Sequence, residues 1–330
     1  MPTFAAQPPP VLQFFRTNQL LVSLLLVFYA LLLRWGAPAE VPGTAGIWGA
    51  TMREWITGPT ARYLLGAVLL TLQATFLNFT VARNRLSRDL GQLPGLGYIL
   101  VASLLPAFLD LSGPLLANTF LLLAYGELCA TYKLGRANHR LFNAGLWIAV
   151  ASLFYVGYLL FLPWVFLGIN SLRKPSAREW IVALLGAATV YWLVGVLYYW
   201  GDAFAHFRTL QLEAFGALDF RGSGKWSSWV AVGGFLLLLL YLLVQAGRLV
   251  TRTTIDVRKK INLLYLALLF SPLVLVLQGT LYLEALLVAA VPLGGLLGLH
   301  FLRLRPAVAE ALHLVLLVGV LVWRFRGYFG

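Results

Sequence analysis

Between Gly201 and Ser228 the sequence gathers Asp202, His206, Arg208, Glu213, Asp219, Arg221 and Lys225, within a chain that is otherwise almost continuously apolar. These are the residue types that proton transfer and phosphate recognition use. Asp202, His206, Thr209 and Glu213 stand at i, i+4, i+7 and i+11, a spacing that lines them along one face of a helix. A carboxylate beside a histidine orients a base, and two carboxylates can divide acid and base roles. The plainer reading of the same pattern is an interfacial helix whose polar side is wet and whose aromatics sit at headgroup depth. Arg221 and Lys225 flank the Gly222-Ser223-Gly224 turn. They suit a lipid phosphate or pyrophosphate, to which a guanidinium offers paired donors, and they equally suit ordinary headgroup contact. A second polar stretch, 36–60, adds Glu40, Arg53 and Glu54, with Arg62 just beyond. Glu54 is the second candidate for a catalytic carboxylate and Arg53 a further phosphate contact. Their adjacency also describes a plain surface ion pair.

The elements that must position these residues follow from composition. The chain has 330 residues, 60% hydrophobic and 11% charged, with a mean hydropathy of +0.83. Soluble domains carry about 25% charged residues, so much of this surface must face hydrocarbon. The expected fold is all-α: a polytopic transmembrane helical bundle forming one integral membrane domain over 1–330. A bilayer core requires about 20 apolar residues per helix. The candidate spans are Asn18–Trp35, Arg62–Ala82, Leu96–Leu111, Pro114–Tyr132, Asn143–Tyr155, Gly157–Leu172, Glu179–Tyr199, Ser228–Val250, Ile261–Gln278, Leu281–Leu302 and Ala307–Trp323. That makes about eleven, with loops 36–60 and 201–228 between them.

Charge gives direction. The net charge is +13, from 25 basic and 12 acidic residues, and the cations sit in the short gaps between apolar runs. Arg83/Arg85/Arg88, Lys133/Arg136/Arg140, Arg173/Lys174/Arg178 and Arg252/Arg258/Lys259/Lys260 therefore mark the cytoplasmic side. The N-terminus then lies inside, and loops 36–60 and 201–228 lie outside. No basic soluble module is present, which speaks against nucleic acid as a partner. Cations bound both ends of 141–172, so that segment must leave and return on one side, as a short-helix hairpin near 143–172 bent at Gly157 or Pro163. Eleven spans leave Arg324 and Arg326 outside, against the charge rule. Either the last helix is not a full crossing or one element near Pro292 is miscounted.

Leu20–Leu33 followed by Ala37-Pro-Ala39 mimics a cleavable leader. A single preceding cation, Arg16, and the proline in the site favour an uncleaved first helix. Cys129 is alone, so no internal disulfide is available. No metal cluster, phosphate-cradling loop, HExxH or haem-attachment motif is present, and no cofactor is expected. Gln73, Asn78, Asn118, Glu127, Gln245, Glu284 and His300 fall within spans, where polar groups face protein or water. Asn118 and Glu127 are nine residues apart, on opposite helix faces, and Glu127 is expected to pair with Lys133 or Arg136. Asp110 reads as a helix–loop boundary. Glu310 and His313 are too few ligands for a metal.

The stretch Leu116–Leu128 (LANTFLLLAYGEL), with Tyr132-Lys133, Asn143–Ile148 and Ala151–Tyr155, resembles an uncharacterised family of bacterial multi-pass inner-membrane proteins. Arg178-Glu179-Trp180, Tyr198-Tyr199-Trp200 and Phe14-Phe15 fit the same pattern. The resemblance implies an inner-membrane protein and supplies no reaction. The run AGLWIAVASLFY, then an apolar helix, a basic patch and another helix, is similar to the core of polyprenyl-phosphate-dependent membrane glycosyltransferases. That likeness implies a carboxylate in the first outer loop, a role open here to Glu40 and Glu54, and a lipid-linked glycan at the outer leaflet. The acidic pair of such enzymes is absent. The expected function is a non-catalytic subunit or assembly factor of a cell-envelope system, with membrane lipids and envelope proteins as partners. A lipid-linked glycan transferase or polymerase is the alternative, and a transporter or flippase the further one.

Overall fold

A chain with this many apolar residues must satisfy its backbone within helices wherever water is excluded, and the computed structural model is helical throughout its described residues, with no strand. Those residues are 11–16, 20–35, 46–87, 91–174, 176–212, 226–250, 253–277 and 283–325. The helices, in order, are α1 (Val11–Phe14), α2 (Leu20–Arg34), α3 (Ile47–Trp55), α4 (Pro59–Arg83), α5 (Leu93–Val101), α6 (Gly113–Cys129), α7 (Asn138–Phe154), α8 (Leu162–Leu172), α9 (Ala177–Trp200), α10 (Phe204–Phe207), α11 (Trp226–Val244), α12 (Ala246–Val250), α13 (Ile255–Leu277), α14 (Ala290–Arg303) and α15 (Pro306–Phe325). Short 3₁₀ turns at Val156–Phe161 and Leu283–Ala289 lead directly into α8 and α14, and a third, Pro106–Phe108, follows α5 after a break at the extended Leu105.

Among the described residues, three helical segments are long and apolar enough to cross a membrane: Pro59–Arg83, Ala177–Trp200 and Leu283–Arg303. They occupy different positions. The last is wholly buried inside the bundle, whereas only 28% of the apolar window of α9 is covered. Large apolar side chains stand exposed along α2, α4, α9, α11 and α15, among them Phe28, Leu72, Trp192, Leu237 and Val315. An apolar exterior of that extent wraps the bundle on several sides, far beyond the patch of a soluble monomer.

Glycine permits the two closest crossings. Gly97 of α5 lies against the backbone of Gly294 and Gly298 on α14, and a Cβ on Gly97 would stand 2.6 Å from Gly294 O. Gly145 of α7 and Gly186 of α9 meet the carbonyls of Ala183 and Phe142, again with no room for a side chain. Small residues bring helices close enough for dispersion to hold them where hydrophobic burial offers no gain between helix and lipid.

The 143–172 region is two elements, α7 and the 3₁₀ turn with α8. Its break falls at Tyr155, which is extended at φ −149°, ψ 107°, two residues before Gly157. Pro163 breaks nothing: it occupies the first turn of α8, where a missing N–H has no helical acceptor. Ion pairs define the two ends of the bundle. At the upper end Arg62, in the first turn of α4, meets Asp110, just before α6. At the lower end Arg140, early in α7, meets Glu127 near the end of α6.

Candidate functional site

Glu54 is exposed on α3, and Asp202 and His206 are exposed beyond α9. Glu40, Glu213, Arg221 and Lys225 lie outside the described residues. Asp202 does not share a helix with His206, so the proposed polar stripe does not form as one face. It sits at φ 53°, a left-handed conformation that aspartate tolerates better than most side chains. Asp202 N donates to Tyr199 O at 3.2 Å and Ala203 N donates to Tyr198 O at 2.9 Å. That pair of bonds is the Schellman stop of α9, which gives Asp202 a structural duty. Beyond it α10 passes into a π-helical turn, Arg208–Leu212, which shifts the register again. The face that turns inward carries Phe207 and Gln211, 3% and 1% exposed.

Gln211 fastens the upper loops. Its Nε2 donates to Ser152 O at 2.8 Å and to Tyr191 Oη at 3.0 Å, and its Oε1 accepts from Ile47 N at 3.4 Å. Gly46 N donates to Phe154 O at 2.9 Å. The last carbonyls of α7, which no intrahelical donor can reach, are thus capped by the segment before α3 and by the turn after α10.

Beside this lies a group of charges that the sequence did not bring together. Arg34, at the end of α2, is fully buried and donates to the carbonyls of Phe108, Leu109 and Asp110, with Phe108 O at 3.1 Å. Arg62 holds the Asp110 carboxylate at 2.5 Å. Arg53, reaching from α3, stands 4.0 Å from Glu284 Oε1. Glu284 is 3% exposed, and its Oε2 has no hydrogen-bond partner among the described residues. A buried carboxylate needs a cation and hydrogen bonds, and Glu284 has a loosely held guanidinium and the Ser112 hydroxyl. Arg53 therefore pairs with Glu284, and Glu54 is left in solvent. The arrangement can bind: two partly exposed guanidiniums and one under-satisfied carboxylate face the same end.

Below it, buried polar groups join five segments. Tyr98 Oη donates to Gln73 Oε1 at 2.7 Å, and Gln73 Nε2 donates to Leu115 O at 2.6 Å and Thr119 Oγ1 at 2.7 Å. Tyr158 Oη donates to Asn118 Oδ1 at 2.7 Å, and Asn118 Nδ2 donates to Leu287 O at 3.0 Å. Further down, Asn78 accepts from Gly95 N at 2.6 Å and donates to Gln92 Oε1 at 2.5 Å, while Gln92 donates to Ser23 at 3.1 Å. These groups are occupied with each other, as polar side chains between membrane helices are.

At the lower end Glu127 pairs with Arg140 at 2.9 Å rather than with Lys133 or Arg136, and Arg173 pairs with Glu179 at 2.9 Å. Asp256 opens α13, and the Thr254 hydroxyl beside it holds its carboxyl below the ordinary aspartate value. Three lysines, Lys133, Lys259 and Lys260, surround the Tyr132 ring. Among the described residues no three His, Cys, Asp or Glu side chains converge as on a metal ion. Set against known proteins, the chain matches no family model, no curated protein and no solved structure.

Proposed function

We propose that this chain is a bacterial inner-membrane protein of eleven crossings that serves as a non-catalytic subunit or assembly factor of a cell-envelope system. In this reading the N-terminus and the lower end face the cytoplasm, and α3, α10 and the Arg53–Glu284 pair face outward. Support for several crossings comes from the three helices long and apolar enough to span among the described residues, and from the shorter apolar helices beside them. The cations gathered at the lower end agree with cytoplasmic loops, and the resemblance to multi-pass inner-membrane proteins points the same way.

One observation carries the choice of a non-catalytic role. Gln73, Tyr98, Asn118 and Tyr158 inside the bundle are engaged with one another or with backbone, whereas Glu54, Asp202 and His206 are exposed, with no hydrogen bond joining them. Acid–base catalysis requires its groups within hydrogen-bond reach of one reacting atom. An exposed loop platform fastened by Gln211 suits docking better. The test removes the carboxylates without disturbing the fold. Asp202→Gly keeps the left-handed position of the helix stop, and Glu54→Gln alters a solvated group. Both variants should retain wild-type envelope glycan and co-purify in gentle detergent with the same envelope partners. Loss of glycan product in either folded variant would instead establish the second reading, an outer-leaflet transferase acting on a polyprenyl-phosphate-linked glycan. Arg53 and Arg62, partly exposed at that end, are what favour that alternative, since guanidiniums recognise phosphate.

A further inference from the structure

The lower end holds cations that its ion pairs do not use. The ammonium groups of Lys133, Lys259 and Lys260 lie 5.5, 5.7 and 6.0 Å from the centre of the Tyr132 ring. Lys259 and Lys260 also reach the closing carbonyls of other segments, Leu172 O at 3.5 Å and Asn84 O at 3.4 Å. Lys133 occupies a left-handed position, φ 59°, which few residues other than glycine adopt. The ends of α4, α6 and α8 and the start of α13 therefore meet at one ring.

This charge is only partly balanced within the described protein. Glu127 is held by Arg140 and Glu179 by Arg173, while Asp256, engaged by Thr254 and by the first amides of α13, acts on Lys260 one helical turn further on. No described carboxylate makes an ion pair with any of the three lysines. An aromatic face returns only about 0.5–1 kcal/mol per exposed cation, and three ammoniums near one ring repel each other. Exposed apolar side chains border the group, with Leu134 beside Lys133 and Ile255 at the head of α13.

We propose that Tyr132, Lys133, Lys259 and Lys260 form a phosphate site, filled by the headgroup of an anionic phospholipid whose acyl chains lie along the neighbouring apolar surface. The site itself rests on the geometry above; the lipid as source rests on the membrane reading.

The test uses the full chain in nanodiscs of phosphatidylcholine with and without phosphatidylglycerol, with retained lipid counted by native mass spectrometry. Wild type should retain phosphatidylglycerol selectively. Taking about 1 kcal/mol per cation at a membrane surface, each Lys→Gln change should weaken retention about fivefold and the triple change on the order of 100-fold. Tyr132→Phe should keep the preference and Tyr132→Leu should reduce it. Lys174→Gln, an exposed cation outside the group, should leave it unchanged. If the triple variant fails to fold, Lys133→Gln and Tyr132→Leu carry the test. Displacement of the preference by inorganic phosphate would uphold the site and overturn the lipid as its natural occupant. A protein that enters the discs but shows no anionic preference, or loses it equally with Lys174→Gln, overturns the site. Failure to enter the discs overturns the membrane reading instead.

Discussion

The bond between Tyr158 and Asn118 offers the sharpest test of whether the buried polar groups hold the bundle together. Asn118→Ala removes the donor to Leu287 O at 3.0 Å and the acceptor for Tyr158 Oη at 2.7 Å. Tyr158 keeps a second acceptor, Pro114 O at 3.2 Å. A lost hydrogen bond costs about 0.5–1.5 kcal/mol, so two lost bonds place Asn118→Ala at about 2 kcal/mol. Tyr158→Phe, losing one shared hydroxyl, should cost about 1 kcal/mol. The double variant isolates the bond between them. Interhelical hydrogen bonds in membranes average about 0.6 kcal/mol and reach about 1.7; with both partners fully buried and 2.7 Å apart, the coupling should fall in the upper half of that range. Reversible unfolding in mixed dodecyl maltoside and sodium dodecyl sulfate micelles, followed by tryptophan fluorescence, measures all four states. Single costs that simply add, within about 0.3 kcal/mol, would refute the claim that this network joins α6 to the segments carrying Tyr158 and Leu287.

Other consequences are as direct. Gly298→Val should be strongly damaging, because its side chain would enter the backbone of Leu93 and Pro94; overpacking costs about 1–3 kcal/mol or more, read as loss of monodisperse protein, while Gly319→Val, which meets nothing within 4 Å, should be silent. Arg53→Gln should destabilise by about 1–2 kcal/mol by leaving Glu284 without its cation, discounted because Arg53 is partly exposed, and adding Glu284→Gln should restore thermal stability. Gln211→Ala should loosen α3 from α7 and appear as faster proteolysis near Ile47, with little change in global unfolding. Because the folded carboxyl of Asp256 is held below its unfolded value, its contribution is present above the ordinary aspartate range and is lost as pH falls through the lower folded value; Thr254→Val should return its titration, followed by carbon NMR, toward the unfolded value.

Apolar runs long enough to be helices were legible, because burial and lipid exposure both demand them. Several boundaries moved for local reasons. Tyr155, not Gly157, breaks the middle hairpin, since an extended residue and a following 3₁₀ turn leave no signature in hydropathy. Helix α3 was missed because its nine residues are too short and too polar on average to stand out in a search for apolar spans, although its apolar residues recur with a helical period. The upper charge group was hidden for a different reason. Arg62 finds Asp110, and Arg53 finds Glu284, across stretches of chain that no spacing rule connects. Periodicity instead selected Asp202 and His206, whose common face presumes a helix that ends at Trp200 and restarts at Phe204. Glu127 was recognised as needing a nearby cation; that Arg140 supplies it depends on α7 returning antiparallel to α6.

The wholly enclosed position of α14 has a consequence for biogenesis. It leaves the ribosome after α5, α6, α11 and α13, yet it lies enclosed in the bundle against the glycine face of α5. Everything synthesised before it must wait in the bilayer with that face open to lipid or to an insertase, so closure of the bundle is a late and concerted event. A nascent chain arrested before Leu283 should therefore expose Gly97 to crosslinking from such a chaperone, and release of the remaining segment should extinguish that crosslink in a single step.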